Sequence, residues 1–408
     1  MTRFFVRFTV SAACAATLLA CAATAHAKAW ELKAVGIPSG GTEGTLRGVS
    51  CTSTTFCIAV GDFNKEVWGA DGNMWNGTSW TEASVQANPG NKNGNLRSVS
   101  CWSTTGCRAS GAYGAEEGGV GVGKTLIERL KEGKFTQIAS PNPALGTGSE
   151  DGKFSELLGI ACPTASFCLS TGKYVNTSGG GEAGAVLAEE WNSEEWLRLK
   201  PIEKPAKRKN ATLWSTSCIE EGVCMSAGAW GREVEGTLFS QAGSESYNKA
   251  ENKWNSVEAE EPITAKFATF YGISCTSSTF CMAVGQWSES VSSPPYKALA
   301  DIWNGSSWTV VLFSGGVGIT KESTFRGVSC PATEECEAVG SYVTSEGVEK
   351  SLVYIWKSKE WKVQTTSDPT GAKATSFNAI SCTASETCSA VGGFVNSSNK
   401  LMPFAEKL

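Results

Sequence analysis

From residue 28 onward, short apolar runs alternate with polar or glycine-rich turns, a pattern that predicts strands rather than helices. Leu46–Cys51 and Cys57–Phe63 form one such pair of strands, here called a and b, joined by the turn Thr52–Phe56. After a variable segment comes strand c, as in Ala298–Trp303 and Ser351–Trp356. A turn such as Asn304–Ser307 or Asn192–Glu195 then leads to strand d, as in Trp308–Phe313. Strands d end at a breaker: Pro89, Pro141, Pro201, Pro262, Gly315 or Pro369.

This unit recurs seven times. Fourteen cysteines form seven pairs with five residues between partners: Cys51/Cys57, Cys101/Cys107, Cys162/Cys168, Cys218/Cys224, Cys275/Cys281, Cys330/Cys336 and Cys382/Cys388. Successive pairs lie 50, 61, 56, 57, 55 and 52 residues apart, the period of a four-stranded supersecondary unit. Four residues after each second cysteine stands a glycine (Gly61, Gly111, Gly172, Gly228, Gly285, Gly340, Gly392). Two further on is an aromatic: Phe63, Tyr113, Tyr174, Trp230, Trp287, Tyr342 or Phe394. Five residues before each first cysteine is a large apolar residue: Leu46, Leu96, Leu157, Leu213, Phe270, Phe325 or Phe377.

The expected fold is all-β, a seven-bladed β-propeller of four-stranded antiparallel blades. The last unit stops at Leu408 without a strand d, while residues 29–38 read as a free one ending in Pro38. That N-terminal strand is expected to complete the last blade and close the ring. Residues 28–408 are therefore read as one domain, with units near 45–94, 95–153, 154–210, 211–266, 267–322, 323–374 and 375–408 plus 29–38. The Trp-Asn-Gly-x-Ser-Trp turns between c and d resemble the Asp-box hairpins of sialidase-type propellers, without their full acidic pattern. With five aspartates in all and no Gly-His/Trp-Asp signature, the repeat is not similar to WD40. The whole resembles an exported bacterial propeller with a Val-Ser-Cys-x5-Cys-x-Ala-Val-Gly repeat.

Residues 1–27 carry the marks of a signal peptide: Arg3 and Arg7, an apolar stretch from Val10 to Ala20, then Ala25-His26-Ala27. Secretion is the expected outcome. Leu18–Cys21 also resembles a lipobox, so a membrane-anchored lipoprotein lipidated at Cys21 is the alternative. Removing residues 1–27 takes away two arginines and no acid, which moves the net charge from −5 to −7. Without a basic patch no nucleic-acid partner is expected, nor a membrane span in the mature chain.

Each cysteine pair belongs to a different unit, and the only histidine, His26, lies in the signal segment. Zinc coordination and histidine-based catalysis therefore have no ligands or base to use, and no metal or cofactor is expected. Facing cysteines across an a–b hairpin suit disulfides, and export supplies the oxidising compartment. Gly118–Thr125 matches the phosphate-loop pattern but precedes a strand c rather than a helix, so it is read as a b–c loop. Twelve of the fifteen tryptophans occupy repeated positions and read as core; Trp68, Trp102 and Trp214 fall outside the frame.

Chemistry is sought where the frame holds and the residue varies. Four residues before each first cysteine stand Arg47, Arg97, Leu158, Trp214, Tyr271, Arg326 and Asn378. These lie at the start of strand a, on the face shared by the d–a and b–c loops. Six of them (all but Leu158) are the candidate ligand site: arginines facing aromatics to hold an anionic or sugar ligand. The alternative is that the arginines pair with loop glutamates such as Glu43, Glu66 or Glu322. The expected function is extracellular binding or scaffolding by a monomer, toward a glycan, a surface protein or an anionic ligand. The rival is a secreted glycoside hydrolase or lyase using b–c loop carboxylates: Glu66, Glu116, Glu117, Glu182, Glu233, Glu289 or Glu346.

Overall fold

A computed structural model describes residues 29–408, apart from 86–91, 118–119, 144–151, 177–182, 200–207, 292, 312 and 314–320. The expected signal segment, with Cys14, Cys21 and the lipobox, lies outside the described residues, as do Pro89, Pro201, Gly315 and Glu182. Among the described residues the regular elements are all strands, and 28 of them pair as four-stranded antiparallel sets. Three sets stand as separate sheets. The other four join two by two through single parallel contacts, Gly123 with Phe154 and Ser240 with Phe267.

Unit 1 shows the plan, with strands Glu43–Ser53, Phe56–Asn64, Trp68–Trp75 and Trp80–Glu82 in spatial order a-b-c-d. In the c–d hairpins an asparagine side chain caps the turn: Asn76 Oδ1 accepts from the amides of Thr78 and Ser79, and Asn304 Oδ1 from those of Ser306 and Ser307. The residue after that asparagine takes a left-handed backbone, which is why Gly77 and Gly305 stand there. The flanking tryptophans face each other across the strands, with ring centroids 5.7 Å apart for Trp75 and Trp80 and 5.5 Å for Trp303 and Trp308.

The N-terminal strand is shorter than expected. Glu31–Lys33 pairs antiparallel with Leu401–Lys407, placing Glu31 opposite Lys407. Beyond Lys33 the chain leaves the sheet, and Val35 and Ile37 pack into the core of unit 1. Strand d of unit 5 also stops early, at Val310, because Phe313 turns away to pack on Phe325, Tyr354 and Trp361 of unit 6. Part of the phosphate-loop pattern, Val120–Thr125, lies inside the strand Val120–Lys131 rather than in a b–c loop. The glycines there, Gly121 and Gly123, take part in an extended ladder, so among the described residues no cradle of amides forms.

All seven cysteine pairs are disulfides: Cys51–Cys57, Cys101–Cys107, Cys162–Cys168, Cys218–Cys224, Cys275–Cys281, Cys330–Cys336 and Cys382–Cys388, with Cα atoms 4.0–4.1 Å apart. The expectation that partners face each other across the a–b ladder needs correction in two units. Cys51, Cys101, Cys218, Cys275 and Cys382 do stand opposite Cys57, Cys107, Cys224, Cys281 and Cys388. In unit 3 the ladder ends at Ala161 opposite Leu169, so the Cys162–Cys168 bridge lies just past it. In unit 6 Cys330 and Cys336 fall in the irregular step between Ser329 and Ala332. There the covalent bond holds the hairpin end where the ladder does not.

The second cysteines do more than staple. Cys57, Cys107, Cys168, Cys224, Cys281, Cys336 and Cys388 are all buried, each in a different hydrophobic cluster. The sequence reading assigns them a cross-link alone; the structure makes them core residues as well, because strand b lies inside the unit with its start covered by strand c. Their first-cysteine partners are only partly buried, except Cys162.

The serine before most of the first cysteines has its own task. Ser50 Oγ accepts a hydrogen bond from the Cys101 amide of the next unit, and Ser100 does the same for Cys162. Ser217, Ser274 and Ser329 repeat this toward Cys275, Cys330 and Cys382. Ser381 of unit 7 accepts from Cys51 of unit 1 at 3.0 Å. At the boundary between units 3 and 4 the position is Ala161, which has no hydroxyl.

The repeated glycines are explained by close approach. A Cβ on Gly61 would sit 1.9 Å from the Thr45 carbonyl oxygen, and one on Gly285 1.9 Å from that of Thr269. The space is filled from strand a: Leu46 and Phe270, opposite these glycines, are completely buried. Core clusters straddle neighbouring units, joining unit 5 to unit 6 and unit 7 to unit 1.

Replacing Ala161 by Ser is expected to add the missing inter-unit hydrogen bond and raise the unfolding free energy by ~1 kcal/mol. The check is a higher urea midpoint at unchanged slope. A midpoint that stays put or falls would show that these serine links do not carry stability.

Candidate functional site

Each of the seven variable positions sits in a β-bulge. Pairing between strands a and b shifts register between Leu46 and Gly48, Leu96 and Ser98, Leu157 and Gly159, and Leu213 and Ser215. It does so again between Phe270 and Gly272, Phe325 and Gly327, and Phe377 and Ala379. The bulged residue has no partner on strand b, which frees its side chain from the sheet's alternation.

Six of the seven side chains divide into two sectors. In units 7, 1 and 2 they are bound by the protein itself. Arg47 pairs through two nitrogens with Asp62 of its own hairpin. Arg97 Nε lies 2.7 Å from Oε1 of Glu156, which is buried in unit 3. Asn378 Nδ2 donates to the Leu46 carbonyl at 2.8 Å and lies 3.2 Å from Thr45 Oγ1. The arginines thus have acidic partners, but these are strand residues Asp62 and Glu156 rather than Glu43, Glu66 or Glu322. Leu158 is buried.

In units 4 to 6 the side chains assemble differently. Trp214 and Tyr271 meet edge to face at 5.4 Å, and Lys173 Nζ lies 5.5 Å from the Trp214 ring. The Arg326 guanidinium is 6.0 Å from the Tyr271 ring, so it neighbours that aromatic instead of standing opposite it. Arg326 is exposed and has no ion pair among the described residues. It lines a cleft of about 260 Å³ with Tyr271, Tyr296, Tyr342, Gln286, Glu322 and Glu349. Burial raises the Tyr271 hydroxyl's pKa, the nearby Arg326 opposing it, so the phenol is a neutral hydrogen-bond donor.

Other buried chemistry lies away from the loops. Of the expected loop glutamates, Glu66, Glu289 and Glu346 are exposed between strands b and c, with Glu289 held by Lys297 at 3.0 Å, whereas Glu116 and Glu233, also exposed, lie within the strands Gly106–Glu117 and Val223–Val234. The side chain of Glu117 lies outside the described residues. Buried acids instead recur at one position of strand c, opposite the residue two after the second cysteine: Glu128, Glu189, Glu245, Asp301 and Glu406. Each stands two residues before Leu130, Trp191, Tyr247, Trp303 or Leu408, an acid-x-large spacing visible in the sequence. Glu189 accepts from Ser140 Oγ at 2.7 Å, and Glu406 from the Ser367 amide at 3.1 Å. Glu245 accepts from Ser256. Burial pushes Glu128 and Glu189 up to about 8 and Glu406 to about 7, and raises Asp301 well above the usual carboxylate range.

Two further features resolve as structural. Arg108 is buried between Trp102 and Trp191, 4.9 and 4.3 Å from their rings, which assigns the out-of-frame Trp102 to packing. Burial lowers its pKa to about 10, so it remains a cation. Glu337 Oε2 lies 2.8 and 3.0 Å from the sulfurs of Cys382 and Cys388, but those are joined in a disulfide and offer no thiolate to a metal.

No protein-family model matches the chain, and no curated protein matches it. Among solved structures, a GH74 xyloglucanase from Xanthomonas campestris is similar over 92% of this chain at 12% identity and a TM-score of 0.52. The chain spans 55% of that enzyme's length. The β-propeller domain of the Trilobed protease from Pyrococcus furiosus is 10% identical, with 89% of this chain and 95% of that one covered and a TM-score of 0.49. A Trypanosoma rangeli sialidase is 8% identical, with 90% and 53% covered and a TM-score of 0.44. Repeated four-stranded antiparallel sheets, with the likeness to the xyloglucanase, define an all-β protein of the β-propeller class. Its neighbours include glycoside hydrolases, sialidases and protease propeller domains.

The buried acids give a signed pH dependence. A carboxyl whose folded-state pKa is raised stabilises fully below about pH 4.5 and loses that contribution as pH rises through about 7–8. The melting temperature is expected to fall by ~5 °C or more between pH 5 and pH 8.5. Glu189→Gln, which cannot ionise, should flatten the profile. A melting temperature that rises over this interval would contradict neutral buried acids.

Proposed function

We propose that residues 28–408 form one closed, seven-bladed propeller, secreted after removal of residues 1–27, that acts as a monomeric extracellular binding protein. Closure is supported by the Ser381–Cys51 link, the pairing of Glu31–Lys33 with Leu401–Lys407, and the core shared by units 7 and 1. Seven disulfides suit an oxidising compartment, and no helix among the described residues is long and apolar enough to cross a membrane.

The ligand face is that of the d–a and b–c loops, and the ligand class is an anionic glycan bound in the sector Trp214–Tyr271–Arg326. One observation carries this: Arg326 is a cation left without a carboxylate partner, among the described residues, at the mouth of a tyrosine-lined cleft. A guanidinium offers paired donors to a carboxylate or sulfate, and the tyrosine rings offer stacking surface beside hydroxyl donors. Arg47, Arg97 and Asn378 act here as supports whose polar groups are already engaged. The rival enzymatic reading relies on loop glutamates, and those described lie at the surface.

On an array of sialylated, uronic-acid and sulfated glycans, the wild-type protein should bind an acidic member with salt-sensitive affinity. Arg326→Ala should weaken that binding roughly tenfold or more. Arg97→Ala should leave the affinity unchanged and lower the stability instead. Absence of any acidic glycan, or an Arg326→Ala variant that binds like wild type, refutes the reading.

A further inference from the structure

A second cleft opens on the same loop face between units 1 and 2, with a volume of about 240 Å³. Its walls come from the end of strand b and the start of c in unit 1, and from the start of a and the body of c in unit 2. Trp68, half-buried at its edge, is one of the three tryptophans outside the repeat frame. Trp102 packs on Arg108 and Trp214 on Tyr271, whereas the Trp68 ring has no aromatic or cation partner among the described residues. Beside it stand Tyr113 and the exposed Val67.

The cleft also holds two buried carboxyl groups, Asp71 and Glu128. Asp71 is engaged: its Oδ1 accepts from the Gly72 amide at 2.8 Å and its Oδ2 lies 3.3 Å from Lys65 Nζ. Glu189, Glu245 and Glu406 each have a hydroxyl or amide from a strand d or the segment after it, although Glu189 Oε1 and Glu406 Oε2 are still buried without a partner. Glu128 Oε2 and both oxygens of Asp301 are buried without a hydrogen-bond partner, and of these two acids it is Glu128 that lines this cleft. At 1% exposure the side chain is enclosed, yet it lines the open cleft. A buried polar atom left unpaired is costly, and a ligand group that pairs it recovers that cost.

We propose that this cleft is a binding site for a neutral saccharide, with Glu128 contacting a sugar hydroxyl and Trp68 and Tyr113 stacking on the sugar face. The difference from the Arg326 cleft, which also has two carboxylates, is that no free cation offsets them here: the only cation among the described lining residues, Lys65, already faces Asp71 and, at 4.0 Å, Glu82. A chain of hydroxyls matches the carboxyl oxygens, and its C–H faces match the aromatic rings. The site is separate from the Arg326 cleft of units 5 and 6 and does not rest on it.

The probes are cellohexaose, xylohexaose and mannohexaose, titrated calorimetrically into the full disulfide-bonded protein at pH 6. At least one should bind. Trp68→Ala and Glu128→Leu should each weaken it roughly tenfold, while Glu128→Gln, which keeps donor and acceptor, should stay within about threefold. Arg326→Ala should have no effect, which separates failure here from failure of the acidic-glycan reading. Trp68→Ala, changed at the cleft edge rather than in the core, keeps the test valid if Glu128→Leu fails to fold. The proposal is overturned if none of the three hexasaccharides binds, if affinity survives both Trp68→Ala and Glu128→Leu, or if an acidic glycan competes for the same site.

Discussion

The structure depends on how closely the innermost strands of neighbouring units approach one another. A Cβ on Gly48 would lie 3.0 Å from Ser98 Cα of the next unit, and one on Gly327 3.0 Å from Ala379 Cα. At such spacing backbone amides turned toward a neighbour need an acceptor that fits, since an unpaired buried amide is expensive. The serine hydroxyl of one unit accepts from the cysteine amide of the next and meets that need. The disulfide then fixes the hairpin that presents both groups. The serine and cysteine of the repeat thus answer one steric problem, with a lapse at Ala161, and glycine at the Gly48 position answers it in four units, Ser98, Ser215 and Ala379 standing there in the others.

That same constraint creates the variable position. Strand a must pair Leu46 with Gly61 and Cys51 with Cys57, and the bulge absorbs the odd residue between them. Whatever occupies the bulge is released from the ladder, so it tolerates Arg, Leu, Trp, Tyr or Asn. Recognition can be placed there without disturbing the scaffold. In units 7, 1 and 2 the freedom goes to internal contacts, and in units 4 to 6 to an exposed cation beside aromatic rings.

The scaffold was legible because its causes are local and repeated. Cysteine spacing, the glycine offset and the Leu or Phe five residues ahead each recur at fixed distances, so strand positions in unit 1 emerged within a few residues of those observed. The packing role of Cys107, Cys168, Cys224, Cys281 and Cys336 was not legible, since a cysteine's spacing reports its bond and not its burial. The site was less legible because its partners lie far off in sequence. Arg97 meets Glu156 across 59 residues, and no offset within one unit announces that pair. The bulge itself leaves no composition signal. The strand-c acids did leave one, an acid two residues before a large apolar residue. Acids draw attention in loops, where solvation is easy, yet it is in strands that burial makes them consequential.

Those acids show how one repeated position serves either packing or recognition. A carboxyl buried between units must shed its charge or find donors, and the raised pKa values show that desolvation dominates. Where Ser140 or the Ser367 amide reaches it, the acid becomes a polar rivet between units. Where the position is Tyr354, aromatic packing with Phe313, Phe325 and Trp361 replaces the rivet altogether. At Glu128 the preceding unit contributes Ser84 and Val85 to the cleft without a hydrogen bond, and the space stays open. A fold whose hairpins are stapled by seven disulfides at ~2 kcal/mol each can sustain such unsatisfied groups without loss of order. The distinction between rivet and ligand contact is therefore made by the donors that a strand d or the segment after it supplies, Ser256 from the same unit and Ser140 and Ser367 from the preceding one, not by the acid itself.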